Sequence, residues 1–395
     1  MDWRNIAAQE LEAMGSFASP WLRPAFHAVD REAFAPARFW SQTTDADGLH
    51  QVIDRDQDED AWRRAVWDNH HSLVVQMDDG RTPMDGPAKG DYSSSISAPD
   101  IVFRKLNALG LEQGQRVLHI GTASGYDTAL LCERTGSDNV TSIEYDPDLA
   151  AWGAENLRAA GYSPTLVQGD GLEGWKTSAP PESVIATCAV REIPTAWRHQ
   201  AADEAVILTP YNTSYARGGL LKMRVNNTVA SGRFIGAAWY MWARQHRPNS
   251  DLHPAQDAHH EASLIHPDQI FGWDWQVDFA IGLHVPDISF AHRGEGEDRQ
   301  VQLWDAAGTS VAIVNYGAWY ARDAVAVYGE RNLWAEVVDA HATWRTAGSA
   351  HFTRYGLTVD DDATWLWLDT PANTVQSTER PKRGFLTTPP AKPLR

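Results

Sequence analysis

Residues 93 to 245 predict an α/β fold, a Rossmann-like and mostly parallel sheet with helices on both faces. Three observations carry this. Short apolar runs alternate with helical patterns along the segment. The first run, Val117 to Ile120, enters a glycine-punctuated turn, Gly121-Thr122-Ala123-Ser124-Gly125. Glu144 then closes a second apolar run roughly twenty residues further on, the spacing of a nucleotide-type cofactor site.

Element by element, Ile6, Leu11, Met14 and Phe17 recur at near-helical spacing, and Pro20, Pro24 and Pro36 then break the chain. Asp45 to Asp60 reads as a solvated acidic loop. Its alternating Asp54, Asp56, Asp58 and Asp60 lack the glycine and the terminal glutamate of a calcium loop. Strands are expected at Arg116–Ile120, Val140–Glu144, Thr165–Gln168, Ser183–Thr187 and Ala205–Leu208. Helices are expected at Ile101–Leu109, Tyr126–Glu133, Pro147–Ala160 and Pro194–Ala201, and Leu220–Val225 with Arg233–Tyr240 form a closing hairpin. Residues 246–264, polar and rich in His and Pro, read as a linker. Beyond it, strands are expected at Phe279–Val285, Val301–Leu303 and Val311–Val314, with Ala307-Gly308-Thr309 as a turn. A helix at Leu333–Trp344 and a final strand at Thr364–Leu368 follow. The domain reading is therefore 1–92 as a helical cap with an acidic insertion, 93–245 as the core, 265–376 as an α+β extension, and 377–395 as a flexible tail.

Composition narrows the function classes. The net charge of −18 argues against a nucleic-acid partner, which needs a basic surface. No run is long and apolar enough for a membrane span, and the start of the chain lacks a signal peptide's apolar block. Two cysteines, Cys132 and Cys188, are too few for a disulfide framework and read as small buried hydrophobes. Together these predict a cytoplasmic protein. The 18 tryptophans read chiefly as core anchors.

Two further clusters could carry chemistry. Gly169-Asp170-Gly171 follows the third strand, so Asp170 and Glu144 both reach the carboxyl ends of the strands, where such sheets bind ligands. Upstream stands Ser93-Ser94-Ser95-Ile96-Ser97-Ala98-Pro99, which alone reads as a loop and helix cap. Arg191, just past the fourth strand, could meet an anionic substrate. His70-His71 and His253 with His259-His260 match no zinc spacing, so no metal is expected. The glycine turn by itself leaves NAD, FAD and S-adenosylmethionine open, because Ala123 stands where the usual middle glycine would be.

Taken together, Ser95-Ile96-Ser97-Ala98-Pro99, the stretch Val117 to Tyr126, Glu144 and Gly169-Asp170-Gly171 resemble the protein-L-isoaspartate O-methyltransferase family. Val29-Asp30-Arg31-Glu32-Ala33-Phe34-Ala35-Pro36 is similar to that family's N-terminal segment, and the resemblance covers roughly the first 240 residues. It implies an S-adenosylmethionine-dependent methyltransferase sheet that releases S-adenosylhomocysteine. It also implies methylation of a side-chain carboxylate of isoaspartyl residues. The cofactor residues so implied are Ser94, Gly121, Thr122, Ala123, Ser124, Gly125, Glu144, Tyr145, Gly169, Asp170 and Gly171. Ser97 matches the family's second hydroxyl residue, and with Ser95 it is the group expected to hold the carboxylate. The acid often found before the first glycine has no counterpart, since His119 and Ile120 stand there.

The extension marks a second departure. Ile185 to Arg191, Phe279 to His284 and Leu333-Trp334 are similar to longer actinobacterial relatives associated with ribosomal peptide natural products of the graspetide and lanthipeptide kinds. Those relatives imply an aspartate in a modified, usually macrocyclic precursor peptide as the acceptor, its ester closing to an aspartimide that persists or hydrolyses to isoaspartate. Repair of damaged proteins is the alternative, and a peptide-binding partner without turnover is a third reading.

Overall fold

The computed structural model describes residues 1–176, 179–249, 251–253, 256–271, 274–379 and 392–393. The chain opens with helices α1 (Trp3–Ala13) and α2 (Leu22–Ala28). Strands β1 (Arg38–Thr44) and β2 (His50–Asp54), helix α3 (Glu59–Val66), and strands β3 (Leu73–Met77) and β4 (Tyr92–Ile96) follow. The four strands form one antiparallel sheet in the order β2-β1-β3-β4. This corrects two expectations. The acidic stretch is not all loop, because β2 runs through it and Asp58 caps α3 by accepting from the Ala61 N–H. Most of the serine cluster is a strand, with Ser94, Ser95 and Ile96 paired to β3, rather than a capping loop.

The core follows as α4 (Pro99–Leu109), β5 (Val117–Ile120), α5 (Tyr126–Thr135), β6 (Val140–Glu144), α6 (Pro147–Ala159), β7 (Thr165–Gln168), β8 (Ser183–Ala186), α7 (Thr195–Gln200) and β9 (Val206–Tyr211). The hairpin of β10 (Gly219–Asn226) and β11 (Val229–Ala237) completes it. Strands β5 to β9 are parallel in the order β7-β6-β5-β8-β9, so the winding reverses between β5 and β8. A ligand crevice lies at such a reversal, outside the carboxyl ends of the strands. The sequence placed every strand and helix of this core to within a few residues; the central strands β5 and β8 are buried throughout and read as largely apolar runs.

After the hairpin come β12 (Ala258–Glu261), α8 (Trp275–Gly282), β13 (Ile288–Arg293), β14 (Gln300–Asp305), β15 (Val311–Asn315), β16 (Val325–Tyr328) and α9 (Leu333–Thr346). Strands β17 (Tyr355–Val359), β18 (Ala363–Leu368), β19 (Thr374–Glu379) and β20 (Lys392–Pro393) end the described chain. β12 to β16 make a separate antiparallel sheet, order β12-β16-β15-β14-β13. β17 to β19 instead join the core sheet beside β11, and β20 pairs with β7 at the opposite edge, giving eleven strands in all.

Three expectations fail in this half. Phe279–Val285 is not a strand; Phe279, Ala280 and Ile281 lie in α8, which Asp274 caps. A continuous apolar run has no period, so it does not separate a buried strand from a buried helix. Thr364–Leu368 is not the final strand, since β19 follows it. The 246–264 stretch is not all linker, because β12 pairs with β16. Residues 250, 254 and 255 of that stretch, and 380–391 and 394–395 of the expected flexible tail, lie outside the described residues; Ser377–Glu379 belong to β19.

One apolar cluster runs from β5, β8 and β9 through β10 and β11 into α8, α9 and β13 to β18. A second joins α1, α2 and α4 to α5. Trp40, Trp62, Trp197 and Trp334 are fully buried anchors, as their number suggested, whereas Trp239 is exposed. No helix among the described residues is long and apolar enough to cross a membrane.

Candidate functional site

The turn after β5 is shaped by close neighbours. Gly121 has φ +98°, and a Cβ there would stand 2.4 Å from Thr187 Oγ1. That hydroxyl donates to the carbonyls of Ile120 at 2.9 Å and Gly121 at 2.8 Å, tying β5 to the end of β8. Gly125, at φ +89°, caps α5, and a Cβ there would press on Leu157 at 2.8 Å. Ala123 lies in the left-handed region at φ +44°, and its N–H donates to Glu144 Oε2 at 2.8 Å. The turn thus wraps its own backbone around the Glu144 carboxylate. Asp146 N–H binds Oε1 at 3.0 Å. Burial pushes the Glu144 carboxyl above its usual range, and these two N–H donors act against the rise.

Around this turn opens a cleft of about 920 Å³, counted with the solvent at its mouth. It is lined by Ser94, Ser95 and Ser97 from β4 and its end; by Gly121, Thr122, Ala123 and Ser124; by Glu144 and Tyr145; and by Asp170 and Gly171. Eleven of the fourteen residues nominated from the sequence are therefore brought together. Gly125 and Gly169 shape the backbone instead: Gly125 caps α5, and Gly169 N–H donates to the Glu144 carbonyl at 2.8 Å. Arg191 does not line the cleft; its backbone N–H is bound by His246 Nδ1 at 3.3 Å, past the end of β8. Asp170 accepts from Leu172 N–H at 2.9 Å, which holds its carboxylate at the rim.

Several lining residues escaped the sequence reading. Asp127, in the first turn of α5, faces the cleft beside the buried Lys105 and Arg31, although burial still raises its carboxyl. Met241 to Gln245 form the far wall, running beside Ala189. Trp242 is nearly buried there, and its Nε1–H has no partner among the described residues. Arg244 bonds Asp146 at 2.7 Å, Asp79 at 3.1 Å and Gln76 at 3.1 Å, and lies over the Tyr145 ring. Burial raises the Asp146 carboxyl, but the bonds from Arg244 and Gln76 prevail and hold it below its usual range. Nothing local in the sequence signals this wall, because its partners lie far apart in the chain.

His119 has a structural explanation. It is fully buried under α5, with Nδ1 3.0 Å from both Thr128 Oγ1 and Ser142 Oγ. Burial, helped by the Lys105 charge, drives its pKa down to about 3, so the ring is neutral. It does not face the cleft, and the acid missing from β5 is not replaced by it. No cluster of His, Cys, Asp or Glu able to hold a metal occurs among the described residues.

The donor set fits an adenosyl sulfonium. Glu144 keeps lone pairs for ribose hydroxyls at the end of the second strand, and Asp170 offers an acceptor one strand further on. The turn leaves no phosphate cradle, since its Ala123 N–H is already spent on Glu144.

An open parallel sheet reversing at β5/β8, with the acid after the second strand, defines the α/β methyltransferase class. A solved protein-L-isoaspartate O-methyltransferase shares the fold at a TM-score of 0.53 and 17% identity, with 93% of this chain and 100% of that one covered. Residues 70–234 match the model of the protein-L-isoaspartate(D-aspartate) O-methyltransferase family. A protein-L-isoaspartate O-methyltransferase of Methanococcus vannielii is 32% identical over 161 residues, 40% of this chain and 77% of its own length. That of Ignicoccus hospitalis is 35% identical over 128 residues, 32% of this chain and 61% of its own. The chain belongs to the protein-L-isoaspartate O-methyltransferase family, whose members depend on S-adenosylmethionine.

Proposed function

We propose that this chain transfers a methyl group from S-adenosylmethionine to a side-chain carboxylate of isoaspartyl residues in proteins or peptides. The observation that carries this reading is the convergence of Ser95 and Ser97 with Glu144 and Asp170 on one cleft. When bound, the sulfonium supplies an electrophilic methyl group. The protein's share is alignment. A solvated aspartyl carboxyl titrates at about pH 4, so the acceptor is already ionised near neutral pH and needs no general base. Ser97 Oγ–H donates to the carboxylate and holds one oxygen in line with the carbon–sulfur bond, with Ser95 beside it. Such orientation lowers a barrier by several kcal/mol. Glu144 holds the ribose, Asp170 the adenine edge, and the wall from Met241 to Gln245 keeps water out.

The test is methyl-ester formation on a synthetic isoaspartyl peptide. Ser97→Ala is expected to slow transfer by about tenfold or more while leaving S-adenosylhomocysteine affinity within about twofold, as for a contact made to the acceptor alone. Full activity in that variant removes Ser97 from the reaction.

A second reading concerns the acceptor: an aspartate in a modified, macrocyclic ribosomal peptide, whose ester loses methanol as the next backbone nitrogen attacks, leaving an aspartimide. What supports it is the added wall. Gln76 and Asp79, before β4, meet Arg244 beyond the hairpin and hold it on the cleft wall. A general repair site needs no such enclosure. Preference for a constrained aspartyl peptide over a linear isoaspartyl one, with a mass loss of water after turnover, is the expected result; the reverse preference returns the chain to repair.

A further inference from the structure

The wall from Met241 to Gln245 is held on one side by backbone. Ala189 N–H donates to the Met241 carbonyl at 2.7 Å, and Ala243 N–H donates to the Ala189 carbonyl at 2.8 Å. On the other side it is held by Arg244. Nη2 of that guanidinium donates to Asp146 Oδ2 at 2.7 Å and to Gln76 Oε1 at 3.1 Å, and its Nε stands 3.1 Å from Asp79 Oδ1. These acceptors are themselves fixed. Gln76 Nε2 donates to the same Asp146 oxygen at 3.1 Å, and Arg247 donates to both oxygens of Asp79 at 2.6 and 2.8 Å. Ser93 Oγ of β4 accepts from Asp79 N–H at 3.0 Å and donates to Gln76 Oε1 at 2.8 Å.

What Arg244 grips is the stretch directly after β6. Asp146 gives its other oxygen, Oδ1, to the N–H groups of Asp148 at 3.0 Å and Leu149 at 3.2 Å, the cap of α6. Its own N–H donates to Glu144 Oε1 at 3.0 Å. Between the two acids stands Tyr145, which lines the cleft and is 46% exposed. A ring so exposed has little packing to fix it. The Arg244 guanidinium lies over it, 5.5 Å from the ring centre, and is itself held by partners on two other elements. We propose that Arg244 is a positioning residue for the adenosyl half of the cofactor: it steadies the Tyr145 ring and, through Asp146, the Glu144 carboxylate. This rests on the assignment of Glu144 and Tyr145 to the cofactor.

The chemistry of the side chain fits that role. A planar guanidinium reaches several acceptors at fixed angles, whereas a lysine ammonium keeps the charge without the fork. The Asp146 side chain is nearly buried, so removing its cation leaves a carboxylate without compensation. The disturbance falls first on Asp146 and then, through its N–H, on Glu144. Ser95 and Ser97 take no part in these ties, so the acceptor side is not the place where the loss is felt.

The experiment measures binding of S-adenosylhomocysteine and of adenosine to the full chain by calorimetry. Thermal unfolding, kcat and cofactor KM for methyl transfer to an isoaspartyl peptide are followed alongside. Arg244→Met is expected to weaken both ligands by about tenfold, the equal factor marking the adenosyl half. Cofactor KM should rise in step, while kcat at saturating cofactor stays within about twofold. Arg244→Lys is expected to remain at least about threefold weaker than wild type. Tyr145→Ala should lose a factor similar to Arg244→Met, and the double variant less than the product of the two. Asp79→Asn loosens the same tie from its more exposed end, at a cost of about threefold in affinity. It serves as the test where Arg244→Met lowers the unfolding midpoint below the assay temperature. Wild-type affinity for both ligands in folded Arg244→Met, or a fall in kcat at unchanged cofactor KM, overturns the inference. If Glu144→Ala binds S-adenosylhomocysteine as tightly as wild type, the cofactor assignment falls and the inference with it. Weak binding by Glu144→Ala beside tight binding by Arg244→Met overturns the inference alone.

Discussion

At the residue scale, the cleft separates groups that bind from groups that build. Asp170 lines the cleft, its carboxylate steadied by the Leu172 N–H. Asp170→Ala should weaken S-adenosylhomocysteine binding by about tenfold, the size of one lost hydrogen bond to a ligand group, with little change in stability; calorimetry reads both. His119 is a builder. Its folded pKa of about 3 lies below the unfolded value near 6.5, so the unfolded chain binds the extra proton between those values. The stability it contributes is complete above about pH 6.5 and is lost as pH falls toward 3, by about 1.4 kcal/mol per unit. Urea unfolding at pH 7 and pH 5 should show a larger loss for the native chain than for His119→Gln. Equal losses would mean that another group governs acid unfolding.

At the element scale, the glycine turn is where the sequence was most informative and least complete. It was legible as a cofactor seat because strand, turn, helix and acid follow in one short segment. Its glycines, however, answer to Thr187 and Leu157, which arrive from distant elements. Gly121→Ala must displace Thr187 Oγ1 and accept a positive φ, at a cost of about 1–3 kcal/mol. Combining it with Thr187→Ala removes the clash and leaves the backbone strain. The double variant should therefore unfold later than the sum of the single losses predicts; strict additivity would show that the clash carries no weight. β4 teaches the reverse lesson. Four serines around one isoleucine have little strand propensity, and only pairing with Leu73–Met77 makes that segment extended and sets Ser95 and Ser97 beside the cleft.

On the scale of the whole molecule, the second half is not an appendage. Phe279 of α8 packs on Phe234 of β11 with ring centres 5.2 Å apart, and β17 adds directly to β11. Truncation after residue 245 would strip both the apolar cover and the paired edge from the hairpin. Exposed edges and apolar faces of this kind drive association. A chain ending there should form soluble aggregates on size-exclusion chromatography and unfold without cooperativity. A monomer with a sharp transition would show that the core folds alone.

By itself, the sequence determined the parallel core, the family and most of the cleft. Those features rest on local order: apolar runs buried on both faces, a turn that demands glycine, and acids a fixed distance from it. Only the tertiary structure decided what stands opposite. Asp127, Trp242 and Arg244 come to the cleft, and Lys105 to the side of Asp127, from separate stretches of the chain, and the contacts that place them span tens to well over a hundred residues. A buried lysine on a helix and an arginine after a hairpin have no period or spacing to announce them. Their roles follow from which carbonyls, rings and carboxylates the folded sheet sets within reach.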